Sequence, residues 1–115
     1  MPDSTEERRK CPRVSFSVPV RCRIRGFTKC NSSLSDDISY EGIGFFNDEF
    51  IAPETLLMLE FTVLARSLTP MGEVVWANPL RHSDRYRLGV KFLEIQAEES
   101  TFLSDYIGMR IENLY

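Results

Sequence analysis

Phe16-Ser17-Val18-Pro19-Val20-Arg21-Cys22-Arg23-Ile24-Arg25 alternates without a break: Phe16, Val18, Val20, Cys22 and Ile24 are apolar, and the residues between them are polar, charged or proline. Successive side chains of an extended chain point to opposite faces, so a period of two predicts a strand with one face buried and its arginines in solvent. Pro19 has no N–H to donate and places this strand at an edge or a bend.

The segments around it follow the same logic. Upstream, residues 1–13 are polar and charged, contain Pro2 and Pro12 and show no periodicity, which predicts a flexible arm. Downstream, Gly26 begins a turn, and Thr28 to Ser35 offers a second strand with a poor apolar face. Asp37 to Gly42 reads as a strand-end turn, because Asp and Ser side chains accept from nearby backbone N–H groups and Gly permits positive φ. Ile43 to Phe46 is a short third strand, and Leu56 to Leu64 a fourth with Leu57, Leu59, Phe61 and Val63 on one face. Met71 to Ala77, with Val74 and Trp76 on a shared face, and Arg85 to Ile95, with Tyr86, Leu88, Val90 and Phe92 alternating, supply two more. Six short strands in roughly 80 residues predict a mainly β fold, a small six-stranded antiparallel β-barrel whose closure removes exposed edges. Beyond it, Phe102, Leu103, Tyr106, Ile107, Met109 and Ile111 recur at helical spacing behind Glu98 and Glu99, predicting an amphipathic helix over about 97–112. The organisation expected is thus an arm, 1–13, and one domain, 14–115, in a chain of 115 residues.

Charge is unevenly spread. Residues 1–30 carry eight Lys/Arg against three Asp/Glu, while the remainder carries six against fourteen. An anion site near the N-terminus of an acidic body fits that division, which argues against general nucleic-acid binding. The three cysteines, Cys11, Cys22 and Cys30, are odd in number and too widely spaced for a zinc knuckle, and His82 is the one imidazole, so no metal site is expected. Free thiols, no apolar run of transmembrane length and no signal-like start predict a soluble, cytoplasmic protein that does not enter a membrane. No nucleophile motif accompanies His82 and no glycine-rich phosphate loop precedes a helix, which leaves no basis for an enzyme.

Two short runs carry the chemistry: Arg9-x-x-x-Arg13 and Asp37-x-Ser39-x-x-Gly42. A guanidinium fork matches two phosphate oxygens or the O6/N7 edge of guanine, and a carboxylate accepts both the N1–H and the N2–H of guanine's opposite edge. Together they describe a ligand with several phosphate oxygens and a guanine base.

In this order, followed by Gly72-Glu73-Val74-Val75-Trp76 and Tyr86-Arg87-Leu88-Gly89-Val90-Lys91-Phe92, the runs resemble the PilZ domain over about Arg8 to Ile95. The chain departs from the family's common pattern at Glu41, often a second glycine, and at Pro12, which stiffens the link between the arginines. The resemblance implies a receptor for cyclic di-GMP, with no cofactor, that relays the signal to a downstream protein. It implies that Arg9 and Arg13 grip phosphates and the Hoogsteen edge, that Asp37 and Ser39 read guanine, and that Gly42 allows backbone approach. Arg8 matches a position that contacts a second, stacked ligand molecule, and Trp76 one that stacks an aromatic on guanine or else packs in the core. Arg81, His82, Arg85 and Arg87, in the loop Leu80 to Arg87, could touch phosphate or a partner protein and are read first as a solvated hairpin tip. Two other functions remain compatible with these residues: a protein–protein interaction module of the same fold without nucleotide binding, and a single-stranded nucleic-acid binder.

Overall fold

Inward-facing apolar residues of one strand after another meet in a single core. A computed structural model describes residues 12–112, in which eight strands and one helix follow in order: β1 (Val14–Ser15), β2 (Pro19–Ile24), β3 (Cys30–Ile38), β4 (Gly42–Asn47), β5 (Leu56–Val63), β6 (Arg66–Leu68), β7 (Met71–Pro79), β8 (Tyr86–Glu94) and α1 (Ala97–Glu112). Six of them pair antiparallel in the order β3-β2-β5-β7-β8-β4, and β4 pairs again with β3 to close the barrel. Two short strands add to this frame: β1 pairs with β3, and β6 pairs with β5.

The alternation that predicts β5 is realised there residue by residue, with Leu57, Leu59, Phe61 and Val63 buried. Val20, Cys22, Ile43, Phe45, Val74, Leu88 and Val90 join them. Fully burying one such aliphatic or aromatic side chain contributes roughly 1.5–3 kcal/mol.

Several local expectations are corrected. The first predicted strand is interrupted, because Pro19 starts β2 and the segment Phe16 to Val18 is held from the side. There Ser35 Oγ donates to the Phe16 carbonyl and accepts from Val18 N–H at 2.9 Å, so a buried hydroxyl replaces regular ladder bonds. The second strand runs on through Asp36 and Asp37 to Ile38, and the turn is confined to Ser39 to Glu41. Asp disfavours strands when unpaired; here both carboxylates are held by arginines, which offsets that preference. The short β6 has no counterpart among the predicted strands, since its hairpin turns through Leu64 and Ala65, at φ 55° and 108°, without the Gly, Asn or Asp that normally marks such a turn.

On α1, Leu103 and Ile107 are fully buried, whereas Met109 is 43% exposed and does not belong to the packed face. The helix is fastened at its start by Glu99, which is buried and accepts from Thr69 N–H at 3.3 Å just past β6. The ring of Phe16 meets Phe61 at 6.1 Å and Tyr106 at 5.9 Å, both edge-on, joining barrel and helix. Among the described residues no helix is long and apolar enough to cross a membrane.

Candidate functional site

Antiparallel register builds the site. Asp37 of β3 is opposite Gly44 of β4, Gly44 is opposite Gly89 of β8, and Gly89 is opposite Trp76 of β7. Residues directly opposite in adjacent strands share a face. The four therefore form one row across the outside of the barrel, with a carboxylate at one end, an indole at the other and two glycines between. Gly89 is required by close approach, since a β-carbon there would collide with the Trp76 ring.

Trp76 reaches this row through a β-bulge. The register slips between Val74 and Trp76, leaving Val75 unopposed, so Val74 stays in the core while Val75, 50% exposed, and Trp76 both line the outer cleft. Strict alternation places Val74 and Trp76 on a shared face, and the extra residue overturns that.

Asp37 is gripped from two sides. Arg13, one residue before β1, donates from Nη2 to Asp37 Oδ1 at 3.0 Å, and Arg87 of β8 donates from Nη2 to Asp37 Oδ2 at 3.3 Å. The same Arg87 nitrogen is 2.6 Å from Asp36 Oδ2, and the Arg87 guanidinium carbon lies 5.3 Å from the centroid of the Trp76 ring, a cation–π distance. Lys91, further along β8, is 3.8 Å from Glu73.

Arg13, Asp37, Gly42 and Trp76 thus line one open cleft of about 440 Å³. Ser39 is beneath the surface and fully buried, with its Oγ accepting the Glu41 N–H at 3.1 Å and its own N–H donating to the Gly42 carbonyl at 2.9 Å. It shapes the turn that carries the cleft wall. Gly42 does not use a positive φ; its missing β-carbon lets β4 pass against the backbone of Val90. Arg8 and Arg9 lie outside the described residues, as does Cys11.

Arg87 is the site residue that the sequence pattern assigns to a solvated tip. The signal is present in β8 itself: with Tyr86, Leu88 and Val90 turned inward, Arg87, Gly89 and Lys91 must share the outer face. A larger cleft of about 590 Å³, between the Phe16 segment and the Tyr106–Arg110 end of α1, contains none of the motif residues. Among the described residues no group of three or more His, Cys, Asp or Glu is arranged to hold a metal ion.

The fold recurs among known proteins. The family model for the PilZ domain matches residues 7–108. An uncharacterized protein of Aquifex aeolicus (strain VF5) is 30% identical over 105 residues, covering 90% of this chain and 50% of the relative, so the chain spans about half that protein's length. Among solved structures, the Bacillus subtilis inhibitor of motility MotI/DgrA superposes with a TM-score of 0.77 at 22% identity, over 98% of this chain and 57% of the other. The PilZ domain of YcgR from Escherichia coli, solved with c-di-GMP, gives 0.72 at 13% identity over 93% of this chain and 94% of that domain. The MrkH–c-di-GMP complex of K. pneumonia gives 0.75 at 15% identity, over 92% and 53%.

Proposed function

Because the chain belongs to the PilZ domain family, we propose that it is a cyclic di-GMP receptor that passes its signal to a partner protein in the cytoplasm, without doing chemistry itself. The observation that carries this is the row from Asp37 to Trp76 with Arg13 already paired to its carboxylate. A guanine base stacked on Trp76 would turn its N1–H and N2–H toward the Asp37 carboxylate, and base–indole stacking contributes roughly 1–3 kcal/mol. Arg9 and Arg13 grip phosphates and the Hoogsteen edge, Ser39 and Gly42 keep the turn beside Asp37 in place, and Arg8 reaches a second ligand molecule. YcgR and MrkH, both solved with c-di-GMP, share this fold.

The position of Arg13 supports the relay. It stands at the junction between the N-terminal segment and β1, and its ion pair with Asp37 must be exchanged for ligand contacts when guanine arrives. Ligand binding thereby moves the point at which that segment joins the barrel, and the partner reads the change.

Calorimetric titration with cyclic di-GMP and cyclic di-AMP tests the assignment. Adenine presents an acceptor at N1 where guanine presents a donor, so cyclic di-GMP should bind more tightly by roughly 1–3 kcal/mol per well-placed contact. Equal affinities would remove the role given to Asp37, and binding of neither would leave a docking module of this fold.

A further inference from the structure

We propose that Arg87, which lies outside both signature runs, is the positioning residue that orients Asp37 toward the base and thereby sets guanine selectivity; this rests on the receptor assignment above. One guanidinium spans the cleft, touching Asp36 and Asp37 on β3 from Nη2 and lying over the Trp76 ring on β7. It therefore ties together the two ends of the row.

Three features support a brace in preference to a ligand contact. The Nη2 atom is already committed to two carboxylates, at 2.6 and 3.3 Å. The Nε–H is buried with no hydrogen-bond partner among the described residues, so it is not presented to the open cleft. Beneath the carboxylate, Gly44 leaves the room that Asp37 occupies: a β-carbon there would be 2.7 Å from Asp37 Oδ1 and 3.5 Å from Arg87 Nη2. Asp37 is thus confined from below by backbone and from the side by Arg87, while Arg13 approaches its other oxygen from the segment before β1. When ligand recruits Arg13, Arg87 remains as the group that holds the carboxylate edge toward the base.

The test compares cyclic di-GMP with the cyclic dinucleotide of inosine, whose hypoxanthine keeps N1–H and lacks the 2-amino group. A carboxylate held square to the base accepts from both donors, and one that is free to turn does not. Calorimetry on wild type, Arg87→Gln, Arg87→Lys and Gly44→Ala should show that wild type prefers the guanine ligand by about tenfold, the value of one charge-assisted hydrogen bond. Arg87→Gln and Gly44→Ala, chemically unrelated changes, should each lose most of that preference while binding of the inosine ligand falls less than threefold. Arg87→Lys, a single point charge without the planar fork, should retain part of it. As an independent signature, emission of Trp76, the one tryptophan, should shift in ligand-free Arg87→Gln. Equal losses for both ligands would make Arg87 a phosphate contact or a general stability residue, and an unchanged preference would remove it from the site; either result overturns the proposal while leaving the receptor assignment standing. A wild-type protein that binds neither ligand would overturn both. Should Arg87→Gln not fold, the Lys and Ala variants separate the same outcomes.

Discussion

Asp37 accepts from Arg13 on one oxygen and from Arg87 on the other, so an arginine drawn to the ligand leaves a carboxylate that still has a cationic neighbour. Charge-assisted hydrogen bonds of this kind are worth about 1.5–3 kcal/mol each. Arg9→Ala and Arg13→Ala should therefore each weaken cyclic di-GMP binding by about tenfold or more, with little change in melting temperature, because the Arg13–Asp37 pair is solvent-accessible and such pairs add little to stability. Calorimetry and thermal melting on the same samples check this; a variant that binds like the parent, or melts far below it, would show that the motif had been misassigned. Cys22 supplies a second measurement at this scale. Burial, with smaller contributions from Cys30 and Glu49, pushes its thiol up from 9.0 to about 11. As pH rises through that window the unfolded chain releases a proton that the folded protein keeps, so the Cys22 contribution to stability is complete below 9.0 and declines toward 11. Cys22→Ala should lack this decline, and denaturant melts at pH 8 and pH 10.5 should show the gap between parent and variant narrowing at the higher pH.

At the scale of elements, hydrogen-bonded register decides what each strand exposes. The bulge at Val75 converts β7 from a core strand into one that delivers an indole to the surface, and the glycines of β4 and β8 make room for the Asp37 carboxylate and the Trp76 ring. The β5–β6 hairpin shows a cost elsewhere. Leu64 and Ala65 hold positive φ without the residues that adopt it readily, and Leu64 is 60% exposed, so packing does not compensate. Leu64→Asn together with Ala65→Gly should stabilise the protein by about 1 kcal/mol, read as a shift in the urea midpoint. A lower midpoint would mean that Leu64 contributes more by contact than its backbone costs.

For the whole molecule, the barrel and α1 form one packed unit through Phe16, Leu103 and Ile107, whereas the cleft is assembled from the strand ends and from the segment before β1. Ligand should accordingly leave the core unchanged. Hydrogen exchange with and without cyclic di-GMP should show added protection at residues 12–15 and 37–42 and none in α1 or in β5. Full protection of those two stretches in the ligand-free protein would mean a preformed site and would remove the proposed relay.

Period-two alternation was enough to establish the barrel, because burying one face of each strand dictates which residues turn inward, and the C-terminal helix followed from its 3,4 spacing in the same way. Arg13 and Asp37 were legible as candidate ligand groups only from the two runs read together on the strand pattern. The bulge at Val75, the β6 hairpin and the partners of Arg87 were not. A bulge has no residue-type signature here, a turn through Leu64 and Ala65 contradicts local preference, and the partners of Arg87 are 50 and 51 residues away in sequence. Local pattern carries information about which face is buried; which outward-facing residues become neighbours is decided by strand order and register, and these exist only once the barrel has closed.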